Sequence, residues 1–277
     1  MKPFLHKANC AFETNPDPQF FYESPHHMEA MSRLRFISQD RGINLGVITG
    51  EIGSGKTLLC KMLAKNIDYS TRIVYIPSSN ISFEAILHSL IYQLTGVHKV
   101  NEYQMDRYLL LNDFQKIVNE QIINTGSHLI IILDECQMIS ADCLENLKCL
   151  TNSLSGQPGL SIILCGQPEL NQTLKLCPTV AQRVGLMYFL PYLSEEHVGP
   201  YIHYRLSKIN KVLDIEDAAI EIIYRYSKGC PREINKICKI AFEHIIHNDK
   251  SRLSAVTLEM VIEDLTKQRM SMSALNF

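Results

Sequence analysis

The run GVITGEIGSGKTLLCKML, from Gly46 to Leu63, restricts the fold more than any other stretch. An apolar run, Ile43–Thr49, breaks into glycines and then enters a helix-like run. The middle reads G-x-x-x-x-G-K-[ST] at Gly50, Gly55, Lys56 and Thr57. A triphosphate can be wrapped by backbone N–H groups only where no Cβ stands in the way. Gly50, Gly53 and Gly55 permit that close approach. A helix starting near Lys56 aims the positive end of its dipole at the phosphates. The pattern expects Gly50, Glu51, Ile52, Gly53, Ser54, Gly55, Lys56, Thr57 and Leu58 to line the nucleotide. Lys56 would reach the β/γ oxygens, and the Thr57 hydroxyl would be a Mg²⁺ ligand.

A loop of this kind needs a parallel sheet to carry it, and the remaining apolar runs supply one. Arg72–Pro77, Leu129–Glu135, Leu160–Gly166 and Gly185–Pro191 are short and continuously apolar, as strands covered on both faces are. Helical stripes lie between them. Ser82 can cap a helix carrying Ile86, Leu87, Leu90, Ile91 and Leu94. Leu110, Phe114, Ile117, Val118 and Ile122 form a second stripe. Ser140 can cap a third, with Leu144, Leu147 and Leu150. The alternation predicts an α/β domain with right-handed crossovers.

From about Ser194 the pattern is helical only, with stripes at Ile202, Leu206, Ile209 and at Ile234, Ile237, Cys238, Ala241, Ile245. The organisation expected is 1–192 for the α/β domain with its N-terminal segment and 193–277 for a small all-helical lid. Gly199-Pro200 conflicts with the first lid helix, and proline there should kink it or move its start to Pro200.

A nucleotide hydrolase also needs a carboxylate for Mg²⁺ and a base for water. LIIILDECQ places both at the end of an apolar strand. Asp134 would hold the metal through water. Glu135 would polarise the attacking water; read alone, the pair is an acidic helix start. There is no N-K-x-D motif for reading guanine, so ATP is the expected nucleotide.

Composition narrows the class. The 277 residues are 46% apolar and 20% charged, enough for a full core, and the net charge of -2 announces no nucleic-acid partner. No stretch approaches 18 uninterrupted apolar residues, and MKPFLHKANCAFE lacks the apolar core of a leader. Nine cysteines without a CxxC pair, among them Cys136, Cys143, Cys149 and Cys165 in apolar elements, read as reduced core thiols. A cytoplasmic location is therefore expected. Adjacent His26 and His27 read as polar residues at a helix start, because neighbours on a helix diverge by about 100°. Arg232, Lys236 and Lys239 share one helix face, which is either simply solvated or a contact for DNA or a protein partner.

These pieces, in this order, resemble the AAA+ ATPases of the ExeA/GspA type, within the clade of origin-recognition, Cdc6-like and TnsC-like ATPases. NPDPQFFYESPHHMEAMSRL, LIIILDECQMIS, IILCGQPEL, AQRV and YSKGCPREINKIC carry the resemblance, from about Asn15 to His247. It implies a P-loop AAA+ parallel sheet followed by a helical lid. It further implies that Gln167 is the sensor 1 residue that orients water, although asparagine is commoner there. By the same carry-over, Arg183 is an arginine finger, Arg232 is sensor 2 on the γ-phosphate, and Phe20–Tyr22 lies near the adenine. Arginines at such positions are otherwise ordinary surface residues, and Phe20 and Phe21 are otherwise core. ExeA continues into a membrane span and an envelope-side domain. This chain ends at Phe277, so no direct membrane span is expected by that route.

The function so implied is ATP binding and Mg²⁺-dependent hydrolysis by a homo-oligomer, ring or filament, that assembles or remodels a protein partner complex. The alternatives are a DNA-binding transposition helper of the TnsC/TniB kind and a nucleotide switch with little turnover.

Overall fold

The computed structural model describes residues 11–66, 68, 70–77, 81–97, 106–152, 159–248 and 252–274. The first ten residues, part of the stretch read for a leader, lie outside the described residues. The chain divides into two compact units: Met28–Ile52 with Leu59–Leu190, and Met1–His27 with Gly53–Leu58 and Pro191–Phe277.

The first unit holds the expected parallel sheet. Its strands are β1 (Leu45–Thr49), β2 (Thr71–Ile76), β3 (His128–Leu133), β4 (Leu160–Gly166) and β5 (Val184–Phe189), in the order β2-β3-β4-β1-β5. Every pairing is parallel. β1, β3 and β4 are buried at every residue, which is why each reads as a mainly apolar run. β5 alternates half-buried and exposed residues, as an edge strand does. The helices of this unit begin with α1 (Pro25–Gln39), most of which belongs to it, and α2 (Lys56–Lys65), which starts in the other unit. They continue with α3 (Phe83–Thr95), α4 (Arg107–Val118), α5 (Ala141–Asn152), α6 (Leu170–Leu176) and α7 (Pro178–Ala181).

The local signals act as expected at two caps. Ser82 accepts from the Ala85 N–H, and Ser140 Oγ accepts from the Cys143 N–H. Leu110, Phe114, Val118 and Ile122 are all buried, but α4 ends at Val118 and a wider turn, Asn119–Ile123, carries Ile122. The Asn124 N–H reaches back five residues to the Asn119 carbonyl, which keeps Ile122 on the buried face. Cys149, expected in an apolar position, is instead exposed, because Leu147 and Leu150 take the buried face of α5.

The second unit is mainly helical: α8 (Glu195–Ser207), α9 (Asp217–Ser227), α10 (Pro231–His247) and α11 (Ala255–Ala274). Two departures from the sequence reading occur here. α8 starts at Glu195 and runs through Pro200 rather than starting at it. Proline removes one helical N–H bond, yet Val198, Tyr201, Ile202 and Leu206 are buried by continuing. Strands also do not stop at Ser194: β6 (Asp214–Ile215) and β7 (Arg252–Leu253) form a two-residue parallel ladder. It ties the starts of α9 and α11, where Glu216 Oε2 accepts from the Ala255 N–H.

The N-terminal segment belongs to this unit. Arg205 is buried, donates to the carbonyls of Ala11 and Glu13, and lies over the rings of Phe12, Phe20 and Tyr201. These carbonyls and aromatic faces sustain the buried guanidinium. Phe20 and Phe21 are buried core residues, while Tyr22 is half-buried against His197, Tyr201 and Tyr204.

Candidate nucleotide site

The register brings three strand ends to one edge of the sheet. Thr49 pairs with Gly166 of β4 and Phe189 of β5, and Leu133 pairs with Leu164. Gly50, Asp134 and Gln167 therefore leave β1, β3 and β4 at the carboxyl edge, where parallel sheets bind ligands. The Gly50 N–H donates to the Gly166 carbonyl at 3.2 Å, which fixes the start of the glycine loop beside Gln167.

Asp134 is 1% exposed, and both its oxygens are engaged. Oδ1 accepts the Glu135 N–H at 2.9 Å, and Oδ2 accepts the Tyr75 hydroxyl at 2.7 Å. Burial, then the bond to Asp134, push the Tyr75 phenol far above its ordinary range, so it stays a donor. Tyr75 carried no signal in the sequence; only its register on β2, level with Ile132 of β3, places it beside Asp134.

Glu135 has φ 54 and ψ 40, the left-handed region, and its side chain is exposed. For a non-glycine residue that conformation costs about 1–2 kcal/mol. It turns the chain abruptly after Asp134. Gln137 bridges two of the expected residues: its amide donates to Glu135 Oε2 at 2.9 Å, and its Oε1 accepts the Gln167 N–H at 3.3 Å. The backbone of Gln167 is thus joined to Glu135 through one side chain, a link the sequence reading missed.

Arg183 lies elsewhere. It is exposed, directly ahead of β5, whose first residue Val184 pairs with Leu45 at the start of β1. That is the amino edge of the sheet, one strand length from Gly50, roughly 20 Å at 3.3 Å per residue.

The rest of the loop, Gly53–Thr57, is grouped with the helical unit. Gly53 (φ +82) and Gly55 (φ +105) adopt the conformations for which glycine is needed. A Cβ on Gly53 would stand 2.7 Å from Arg232 Cβ and 2.9 Å from Cys230 Sγ, so the first turn of α10 sits against this glycine and brings exposed Arg232 to the loop. Pro231 opens α10, as suits a residue with no N–H to satisfy. Lys56 is 7% exposed at the first position of α2. An ammonium near a helix N-terminus opposes the dipole, and a bound anion relieves both that and its burial. Among the described residues, buried Ser54 Oγ has no hydrogen-bond partner. Positive-φ glycines, a buried lysine and an orphaned hydroxyl together fit a phosphate group.

His27 stands at the start of α1, as read, but it is buried, 6% exposed, and its partners carried no signal in the sequence. Its Nε2 lies 3.0 Å from the Ser54 carbonyl and its Nδ1 2.8 Å from Ser24 Oγ. Burial pulls its pKa down to about 4, against a smaller upward pull from the Ser54 carbonyl. The ring is therefore neutral near pH 7; Nε2–H donates to Ser54, and Nδ1 accepts from the Ser24 hydroxyl.

Among the described residues no group of His, Cys, Asp and Glu is arranged to hold a metal ion by itself. Thr57, on the glycine loop, and Asp134, at the end of β3, are the residues that the sequence reading assigns to Mg²⁺.

A parallel sheet that sends a G-x-x-x-x-G-K-T loop and an Asp-Glu pair from one edge defines the P-loop ATPases. Comparison with known proteins narrows this: the AAA domain family matches residues 39–174, and General secretion pathway protein A of Aeromonas hydrophila is 32% identical over 288 aligned residues, 98% of this chain. The chain belongs to the AAA+ ATPases of the ExeA/GspA type. It spans about half, 51%, of that relative's length. Solved structures share the fold. Cdc6p from Pyrobaculum aerophilum matches with TM-score 0.74 and 14% identity over 92% of this chain and 70% of its own. The ORC2 protein of Aeropyrum pernix, solved as ADPNP-ADP complexes, gives 0.70 and 19% over 92% and 70%. The Aeropyrum pernix ORC1 protein in complex with DNA gives 0.71 and 13% over 96% and 71%.

Proposed function

We propose that this chain binds ATP with Mg²⁺ and hydrolyses it between subunits of a head-to-tail homo-oligomer, using the cycle to assemble or remodel a protein complex. The observation that carries this is the pairing at the carboxyl edge of a held carboxylate, Asp134, with an exposed one, Glu135, one strand (β4) removed from the strand that enters the phosphate loop.

The residues divide the work. Backbone N–H groups from Gly53 to Thr57 hold the phosphates, with Lys56 on the β/γ oxygens and Glu51, Ile52 and Leu58 flanking. Thr57 and Asp134 hold Mg²⁺, which when bound neutralises charge on those oxygens. Glu135 accepts the proton of the attacking water. Gln167 orients that water as sensor 1, and Arg232 reaches the γ-phosphate from α10 as sensor 2. Arg183 stands at the opposite edge of the sheet from Gly50, so it serves a neighbour's nucleotide as the finger, worth about 10³–10⁵ in rate. Such an interface is heterologous and closes into a ring or continues as a filament. The named role of the relative in secretion supports a protein partner.

Lys56→Ala is the direct test. ATP-Mg at 100 times its Kd should stabilise the wild type by about 2.7 kcal/mol, and the variant should show no such rise in Tm. An equal rise in both would remove the phosphate-loop reading. A second reading, a DNA-bound helper, is favoured by the fold shared with the DNA-complexed ORC1 protein and by the basic face of Arg232, Lys236 and Lys239 on α10. Duplex DNA that raises turnover, with a slope against salt that falls by about one per lysine removed, selects it. Turnover indifferent to DNA selects the protein partner.

A further inference from the structure

We infer that His27 is a positioning residue for nucleotide binding: its Nε2–H holds the Ser54–Gly55 peptide in the orientation that presents the Gly55 N–H to a phosphate. This rests on the reading of Gly50–Thr57 as a phosphate cradle.

The argument begins with what the loop lacks. Gly55 at φ +105 has no Cβ, so rotation of the peptide before it meets little steric resistance. The neighbouring Ser54 hydroxyl is buried and has no partner among the described residues, so none of them anchors the loop through it. A peptide free to flip would present its N–H in only a fraction of molecules, and apparent affinity falls by that fraction. His27 supplies the constraint. Its Nε2 is 3.0 Å from the Ser54 carbonyl, and 2.9 Å from where a Cβ on Gly55 would stand, so the ring backs the peptide closely. In a trans peptide the C=O and the following N–H point in opposite directions. Fixing the Ser54 carbonyl on the His27 side therefore directs the Gly55 N–H away from the ring, to the edge left for a ligand.

The ring itself is fixed. Ser24 Oγ lies 2.8 Å from Nδ1, and the His27 N–H reaches the same oxygen at 3.4 Å. Phe21 packs edge-on, its centroid 6.0 Å away. A hydroxyl donating to Nδ1 leaves the proton on Nε2, the tautomer the Ser54 carbonyl needs. Ser24, His27 and Ser54 thus form one chain of donors ending on the loop.

The test is titration of the full chain with a fluorescent ATP analogue and Mg²⁺, for wild type, His27→Ala, His27→Phe and His27→Gln. The glutamine amide can donate to Ser54; phenylalanine fills the space without a donor. His27→Ala and His27→Phe should bind about 10-fold or more weakly, the scale of one lost hydrogen bond with its carbonyl left buried. His27→Gln should recover to within roughly 3-fold. If His27→Ala does not fold, the comparison of Phe with Gln decides. Phenylalanine binding like wild type, or glutamine binding no better than phenylalanine, overturns the inference. In ¹⁵N-histidine-labelled protein near pH 7, the His27 shifts should show Nε2 protonated; the opposite tautomer also overturns it. If the wild type binds no nucleotide, it is the cradle reading that has failed.

Discussion

Gly53→Ala tests the contact that brings α10 to the phosphate loop. At φ +82 an added Cβ costs about 1–2 kcal/mol through backbone strain alone. The Cβ would also stand 2.7 Å from Arg232 Cβ, about 1 Å inside the ordinary carbon–carbon separation. Arg232 Cβ is fixed to the helix backbone, so the first turn of α10 has to move. Cys230 Sγ at 2.9 Å is the end of a short side chain and yields more easily. Overpacking of this kind costs typically 1–3 kcal/mol, giving roughly 2–5 kcal/mol in all, a large share of the usual 5–15 kcal/mol of a folded protein. Arg232→Gly removes the opposing carbon at a helix-propensity cost of about 0.5–1 kcal/mol. The double variant then keeps the strain but loses the overlap. Urea unfolding without nucleotide, with m-values compared across the four proteins, should show the double variant more stable than the sum of the singles by about 1–2 kcal/mol. Additivity within about 0.5 kcal/mol would mean that α10 does not rest on Gly53.

The other predictions use the same chain. His27 is neutral in the fold with a pKa of about 4, against an ordinary value of 6.5. Its stabilising contribution is complete above pH 6.5 and falls as the unfolded chain takes up a proton, by about 3 kcal/mol on reaching pH 4; urea midpoints between pH 7.5 and 4.5 should fall less steeply in His27→Gln. Glu135→Gln should keep ATP affinity and lose roughly 10²-fold or more in turnover, read by parallel binding and phosphate-release assays; undiminished turnover would move the base elsewhere. Arg183→Ala should bind ATP without turning it over, and mixing it with Lys56→Ala should restore part of the activity. No rescue in assemblies shown to be mixed would exclude a finger acting in trans.

The sequence by itself determined the chemistry that depends on short spacing. Gly50 to Thr57 and Asp134–Glu135 each lie within one loop, so the motifs on which the nucleotide reading rests are written in consecutive residues. It also determined the parallel sheet, because strands buried on both faces must be largely apolar, as β1, β3 and β4 are apart from Thr49, His128 and Ser161. Tertiary structure decided whatever joins distant segments. The insertion of β4 between β1 and β3 sets Gln167 beside Gly50, and the pairing of β2 with β3 sets Tyr75 on Asp134. It carried α8 through Pro200, because four buried side chains outweigh one missing hydrogen bond. It gave His27, a helix-start residue as read, the further part of supporting the Ser54 carbonyl, 27 positions away. A hydrogen bond across that separation leaves no periodicity and no spacing rule. Its donor and acceptor are matched only when the folded chain excludes water from both.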